Sequence, residues 1–206
     1  MTSSCHSDEP EVTRPPATRV AEDTLLDAAR TCVLSYGVRR TTLTDIARRA
    51  GVSRMTLYRR FSDVTSVMAA LMTREFTALL GKAAQSAAGQ PDARRALVTS
   101  AVAGVRALHD NPLMASVLER DPELLLPYLV ERIGSTQRLI EQVLAAQIEA
   151  GHRDGSIRAG DAALQARVVF LTGQAFVVSH RPASADQDSD ALLDEFGILL
   201  DRSLAP

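Results

Sequence analysis

The sequence predicts an all-α fold with a small N-terminal helical domain and a larger C-terminal one. Apolar residues recur at helical spacing over most of the chain, and the alternation typical of strands is sustained nowhere. Residues that favour turns divide these stretches into segments of helix length. With 206 residues, 46% of them hydrophobic, the chain is long enough to bury a substantial core.

Charge is distributed unevenly along the chain, although the formal net charge is only −2. Residues 1–13 hold three acids and no base, residues 14–62 hold ten arginines against four acids, and residues 63–206 hold thirteen bases against eighteen acids. A compact basic segment before a larger acidic one favours a polyanion-binding head on a body that does not bind polyanions. Charge alone leaves open the alternative that the arginines decorate a solvated helical surface.

The composition of the sequence also predicts the domain boundaries and the cellular location of the protein. Residues 1–17 are rich in proline and polar residues and predict a disordered tail, followed by domains over 18–62 and 63–206. The charge-free apolar stretch from Val168 to Ser179 is shorter than the roughly 20 residues that cross a bilayer. The N-terminus of the chain lacks the pattern of a secretory signal, and the two cysteines of the sequence are too few for a disulfide framework. We therefore expect a cytoplasmic protein without a membrane partner.

The segment from Thr41 to Phe61 has the pattern of two short helices joined by a tight turn. Thr42, followed three residues later by Asp45, has the form of a capping box and predicts the start of a helix. Gly51 predicts its end, and Ser53 predicts the cap of the next helix. Two helices joined in this way form a helix-turn-helix.

The second short helix carries groups suited to DNA on its outer side. With Leu57 and Phe61 facing inward, Thr56 and Arg59 point outward toward base edges, and Met55 offers apolar contact only. The remaining outward arginines and hydroxyls are suited to phosphates. The predicted DNA-contacting set is Thr42, Thr44, Ser53, Arg54, Met55, Thr56, Tyr58, Arg59 and Arg60. The alternative is a small helical subdomain with an arginine-rich solvated face.

Residues from about Val20 to Phe76 resemble the DNA-binding region of the TetR (tetracycline-repressor-like) family of bacterial regulators. The resemblance implies three N-terminal helices that read DNA, the third as recognition helix, and a C-terminal domain that binds a small molecule and dimerises. Val64 stands where the family commonly has a lysine that contacts a phosphate, so we do not expect that contact here. The residues that carry the resemblance are Gly37, Thr42, Ile46, Ala47, Ala50-Gly51-Val52-Ser53, Thr56-Leu57-Tyr58 and Phe61.

Beyond the helix-turn-helix, the pattern predicts a long helix over 64–88 and further helices over 93–109, 113–120, 123–150, 161–180 and 189–204. The helix over 161–180 is apolar nearly all round, which is typical of a central core helix or of an interface. Together with the resemblance, this favours a homodimer through the last two helices, and two-fold symmetry matches a palindromic operator. The expected interface residues are Phe170, Gly173, Val177, Leu192, Phe196, Leu199 and Leu200.

Large or polar residues on otherwise apolar stretches are the candidates for an effector pocket, although each also suits an ordinary core. They are Met114, Leu118, Tyr128, Arg132, Phe170 and Gln174. The resemblance implies that a small molecule binds the dimer whose recognition helices are wrongly spaced, and that the helix over 64–88 transmits the movement. We therefore expect a repressor that a small molecule releases from DNA.

Enzyme chemistry is not expected. The four histidines are scattered without a metal-ligand spacing, and the chain has no phosphate loop, GxSxG elbow or CxxC pair. No metal or cofactor is predicted. Two alternatives stay open, namely a DNA-binding regulator that a protein partner controls and one that acts without a small ligand.

Overall fold

The computed structural model describes residues 17–131 and 133–206, with side chains from residue 22 onward except those of residues 128 and 132. No strand occurs among the described residues, which confirms the all-α prediction. Most of the predicted tail, residues 1–16, lies outside them. The helices are α1 (Ala17–Tyr36), α2 (Leu43–Ala50), α3 (Arg54–Arg60), α4 (Val64–Ser86), α5 (Ala93–His109), α6 (Pro112–Arg120), α7 (Ser135–Asp154), α8 (Ala162–Ala183) and α9 (Ser189–Leu204).

The short helices α2 and α3 begin and end where the sequence predicts. Thr42 Oγ1 accepts the amide hydrogen of Asp45 at 3.1 Å, and Ser53 Oγ accepts that of Thr56 at 3.1 Å. Gly51 ends α2 in the left-handed region with φ of 67°. The predicted capping box forms only in part, because Asp45 accepts the hydroxyl of Thr42 rather than its backbone N–H.

One hydrophobic core joins the first three helices to the start of α4. Ile46, Leu57 and Val67 are fully buried in it. Leu113 of α6 belongs to the same core, so the N-terminal helices are packed directly against a helix of the larger domain. α4 links the two parts of the molecule and begins with a reciprocal capping box between Asp63 and Ser66.

A second core holds the C-terminal domain together. α5 lies at its centre and contacts α4, α7, α8 and α9. Leu97, Ile148 and Phe196 are fully buried there, and the rings of Phe176 and Phe196 lie 4.5 Å apart where α8 meets α9.

The prediction of one helix over 123–150 is wrong. A 3₁₀ turn (Pro122–Leu124) and a π-helical turn (Pro127–Glu131) precede α7, which begins after Gly134. Both prolines lack the amide hydrogen that continues a helix, and Gly134 takes an extended backbone conformation. α7 also runs past Gly151 to Asp154 and ends at Gly155 with φ of 74°.

α8 is longer than predicted, because Pro182 lies in its last turn instead of ending it. By length and hydropathy α8 meets the criterion for a membrane span, as do core helices of water-soluble proteins, and it does so alone among the described helices. It packs against α5 and α7.

Candidate DNA interface and ligand cavity

α3 presents an exposed outer side on a fixed base. Leu57 is fully buried and Phe61 nearly so, which sets the orientation of the short helix. On the opposite side Met55 is 76% exposed and Tyr58 is 51% exposed. This side of α3 is therefore accessible to another molecule.

The basic residues of the helix-turn-helix divide into paired and unpaired ones. Arg60 forms an ion pair with Glu22 of α1, and Arg48 pairs with Asp45 at 2.7 Å. Arg54 and Arg59 are exposed and form no ion pair or hydrogen bond with any described residue. Their charge is therefore available to an external polyanion, whereas part of the charge of Arg60 is used within the domain.

The residues predicted to make hydroxyl contacts lie in different environments. Thr42 and Ser53 are exposed caps, and Thr44 is half-buried in the first turn of α2. The Thr56 hydroxyl lies 2.9 Å from that of Ser53, and one of the two donates to the other. All nine predicted DNA-contacting side chains are at least partly accessible.

A cavity of about 470 Å³ lies between α4 and the C-terminal helices, within the range of about 300–1,000 Å³ that is usual for ligand pockets. Val33 and Val38 bring the N-terminal domain to its wall. Most other lining residues are aliphatic or aromatic, and none that the structure describes carries a charge. The cavity is therefore suited to an apolar ligand.

Four of the six predicted ligand residues line this cavity, namely Met114, Leu118, Phe170 and Gln174. Arg132 and the side chain of Tyr128 lie outside the described part of the chain, so their predicted role stays a prediction. Met114 and Phe170 are also largely buried, at 6% and 8% exposure, and so serve the core as well.

A chain of side-chain amides at the start of α7 was not predicted. The backbone N–H of Gly134 donates to Gln137 Oε1 at 2.7 Å, and Gln137 Nε2 donates to Gln174 Oε1 at 2.6 Å. Sequence reasoning missed Gln137 because its partner is 37 residues away on another helix.

The C-terminal end of α6 is bonded to the end of α1. Asp121 Oδ2 accepts the backbone N–H of Val38 at 2.7 Å, and Arg120 donates to the carbonyl of Leu34 at 3.2 Å. Ser116 reaches the carbonyl of Val33 at 3.5 Å. These contacts join the wall of the cavity to the N-terminal domain, and nothing in the local sequence pattern signalled them.

The residues predicted for a dimer interface differ in their accessibility. Phe170, Phe196 and Leu200 are buried in the protomer's own core. The sequence pattern marks them as apolar but does not show which apolar face of each helix packs into that core. Gly173 faces Val105 and Phe196 of the same protomer, Val177 packs against this core, and Leu192 is half-buried. Leu199 is 52% exposed. The exposed large apolar residues of α8 and α9 are Leu164, Val168, Leu171, Ile198 and Leu199.

The histidines form no metal site among the described residues. His109 and His180, 71 positions apart in sequence, nevertheless stack edge to face with ring centroids 4.3 Å apart. His180 is 1% exposed and bonded to Ser189 Oγ at 2.7 Å. Burial first, then the charges of His109 and Arg106, lower the pKa of His180, while Asp110 acts in the opposite direction.

Comparison with known proteins agrees with this arrangement. Residues 25–71 match the family described as "Bacterial regulatory proteins, tetR family". An uncharacterized HTH-type transcriptional regulator of Mycobacterium bovis is 40% identical over 171 residues, which cover 83% of this chain and 87% of that protein.

Solved structures of low sequence identity share the fold. FadR of Bacillus subtilis, solved in complex with stearoyl-CoA, is 18% identical with a TM-score of 0.66 and covers 88% of this chain and 98% of its own. The TetR family repressor AlkX of Dietzia sp. is 23% identical with a TM-score of 0.64 and covers 88% of this chain and 94% of its own. From the match over the helix-turn-helix and the identity over most of the length, the chain belongs to the TetR family of bacterial transcriptional regulators.

Proposed function

We propose that this regulator is a repressor that binds a palindromic operator as a homodimer and is released from DNA by a small molecule. The observation that carries the proposal is a cavity whose wall includes Val33 and Val38 of the N-terminal domain together with residues of α4 to α9. A ligand in that cavity touches the DNA-binding and the C-terminal parts at once. Its binding therefore depends on how the two are placed relative to each other.

DNA recognition is assigned to the outer side of α3. Arg54 and Arg59 are unpaired among the described residues and supply positive charge for phosphates and guanines, while Met55 and Thr56 meet the base edges. Arg60 holds α3 against α1 through Glu22 and contributes less to DNA. The nine residues predicted from the sequence remain the proposed contact set.

A homodimer forms through the exposed apolar side of α8 and α9. Leu164, Val168 and Leu171 follow each other at intervals of four and three residues, so they lie on one side of α8. Ile198 and Leu199 extend the apolar surface on α9. A second copy that covers this surface removes it from water and doubles the number of recognition helices.

Ligand binding reaches the DNA-binding domain by two routes. α6 lines the cavity with Met114 and Val117, and Asp121 at its end accepts the backbone N–H of Val38 in the turn after α1. α4 lines the cavity with Met68 and Met72, and its Arg74 pairs with Asp27 of α1 at 2.8 Å. A ligand that displaces α6 or α4 therefore moves α1 and the helices packed on it.

The test begins with selection of bound fragments from genomic DNA by the purified protein at physiological ionic strength. Operator affinity is then measured by fluorescence anisotropy with and without a compound that binds the cavity. The proposal predicts a two-fold symmetric site and weaker operator binding in the presence of the compound. By linkage, the operator weakens compound binding by the same factor. Equal affinity of the compound for free and DNA-bound protein would contradict the proposal.

A further inference from the structure

We infer that the effector is an uncharged, largely apolar molecule with a hydrogen-bond acceptor, and that the side-chain amide of Gln174 recognises this acceptor. The inference rests on the proposed function in taking the cavity as the effector site, and it adds the chemical class of the ligand.

The lining of the cavity disfavours a charged ligand. Its polar members among the described residues are hydroxyls and amides only, and no acidic, basic or histidine side chain takes part. A carboxylate or ammonium group that enters such a cavity loses its hydration without gaining a counter-charge, which is strongly unfavourable. The described polar lining consists of Thr65, Thr73, Ser100, Ser135, Thr136, Gln137, Gln147 and Gln174.

The orientation of the Gln174 amide follows from a backbone group. The N–H of Gly134 can only donate, so the atom of Gln137 that it meets at 2.7 Å is the carbonyl oxygen, Oε1. The other end of the Gln137 amide is then Nε2, which donates to Gln174 at 2.6 Å. The atom of Gln174 that receives this bond must be Oε1, which leaves Nε2 on the other side.

Gln174 Nε2 is therefore a donor with a fixed direction. Gln174 lines the cavity and is half-buried, and its Nε2 forms no hydrogen bond with the described residues. A carbonyl, ester or ether oxygen of a ligand satisfies this donor, whereas an alkane leaves it unsatisfied inside an apolar cavity. The donor thus selects for one acceptor on an otherwise apolar molecule.

The first experiment compares four probes that share a straight chain of twelve carbons, by displacement of the fluorophore N-phenyl-1-naphthylamine from the DNA-free protein. The probes are methyl dodecanoate, dodecane, sodium dodecanoate and dodecyltrimethylammonium, the two ions below their critical micelle concentrations and the two neutral compounds below their aqueous solubility. We expect methyl dodecanoate to bind about threefold to tenfold more tightly than dodecane, the range of one neutral hydrogen bond. We expect both ions to bind more weakly than the ester. Tighter binding of either ion would overturn the inference, and equal binding of ester and alkane would do so as well.

Two variants assign the effect to the donor. Gln174→Leu removes the amide, and we expect it to abolish the preference for the ester while dodecane affinity is kept or improved. Gln147→Leu is the matched control, because Gln147 also lines the cavity, about 15 Å further along α7 from Gln137. It should leave the preference intact. An ester preference that survives Gln174→Leu would contradict the assigned role.

A third variant tests whether Arg132 binds an anionic ligand, because Arg132 follows the lining residue Leu129 by three positions in the sequence. If dodecanoate is the tightest probe and Arg132→Gln removes that preference, the ligand is anionic and the inference is wrong. All of these readouts are made without DNA. Selective ester binding that leaves operator affinity unchanged would contradict the proposed function and leave the ligand class standing.

Discussion

The Asp121 carboxylate accepts the backbone N–H of Val38, with 2.7 Å between Oδ2 and N. Asp121 is the C-terminal cap of α6 and is only 3% exposed, and Val38 lies in the turn between α1 and α2. Val38 also lines the ligand cavity. One partly buried hydrogen bond thus connects α6, which lines the cavity, to the turn that leads into the helix-turn-helix.

Removal of this bond should uncouple ligand and DNA binding. We expect Asp121→Ala to lower the free energy of unfolding by about 1–3 kcal/mol, because the partly buried N–H of Val38 loses its acceptor. We also expect the ligand to change operator affinity less than in the wild type. Urea unfolding and anisotropy titrations measure the two effects. Asp121→Asn is the control, since its side-chain oxygen can still accept the bond. An Asp121→Ala protein with undiminished ligand response would show that coupling runs through α4 instead.

Gly37 lies next to the Asp121–Val38 contact, where the space for a side chain is restricted. Its φ is +83°, and a Cβ added there would lie 2.9 Å from Asp121 Oδ2. We expect Gly37→Ala to lower the free energy of unfolding by about 1–2 kcal/mol from the left-handed conformation alone. Gly81→Ala is the control, because Gly81 lies exposed inside α4 with nothing within 4 Å of an added Cβ. That change should stabilise the helix by about 0.5–1 kcal/mol. Equal unfolding midpoints for the two variants would refute this reading of the turn.

The two unpaired arginines of α3 should affect DNA binding differently. We expect Arg59→Ala to relax base preference at one position of each half-site, at a cost of about 1–3 kcal/mol for a bidentate contact. Arg54→Ala should weaken all sequences alike and reduce the slope of log affinity against log salt by about one. Arg202→Ala, on the exposed side of α9, is the control and should do neither. An unchanged operator preference in Arg59→Ala would reassign that residue to the phosphates.

The apolar side of α8 should control assembly. Val168 is 57% exposed, and we expect Val168→Arg to shift the protein from dimer to monomer and to weaken operator binding at low protein concentration. Sedimentation velocity measures the first effect. Val130→Arg is the control, because Val130 is 79% exposed on a different segment and outside the cavity. Dimers that persist in Val168→Arg would place the interface elsewhere.

His180 should make stability depend on pH. Its pKa is lowered from the ordinary value of 6.5, mainly by burial, so the unfolded chain binds a proton more readily than the folded one. The contribution of neutral His180 to the free energy of unfolding is therefore complete above about pH 6.5 and is lost as the pH falls toward the pKa of His180 in the folded state. Urea unfolding at several pH values should show a shallower decline below 6.5 for His180→Phe. A His180 that titrates above 6.5 by NMR in the folded protein would contradict the sign.

The helix-turn-helix was predictable because its signals are local. Thr42, Gly51 and Ser53 act within three or four residues of themselves, and these caps lie where the sequence indicated. The break in the segment 123–150 was harder to see, since proline is tolerated in the first turn of a helix and the apolar pattern continues across it.

The cavity and the interface depend on packing, which local pattern does not encode. Apolar periodicity marked Phe170 and Phe196 as members of wide apolar faces, but only the fold shows that they face inward while Val168 and Leu171 face out. The Gly134–Gln137–Gln174 chain and the Asp121–Val38 bond join residues 37 and 83 positions apart.

In the proposed complex, α3 of each protomer lies in a major groove of the operator. Protection of guanine N7 from methylation measures this directly, because N7 is exposed in the major groove only. On the selected operator, we predict protected guanines in two half-sites whose centres lie about one helical turn, or a multiple of it, apart. Arg59→Ala should lose one protected guanine in each half-site. A bound complex without N7 protection, or with a single protected half-site, would contradict the account.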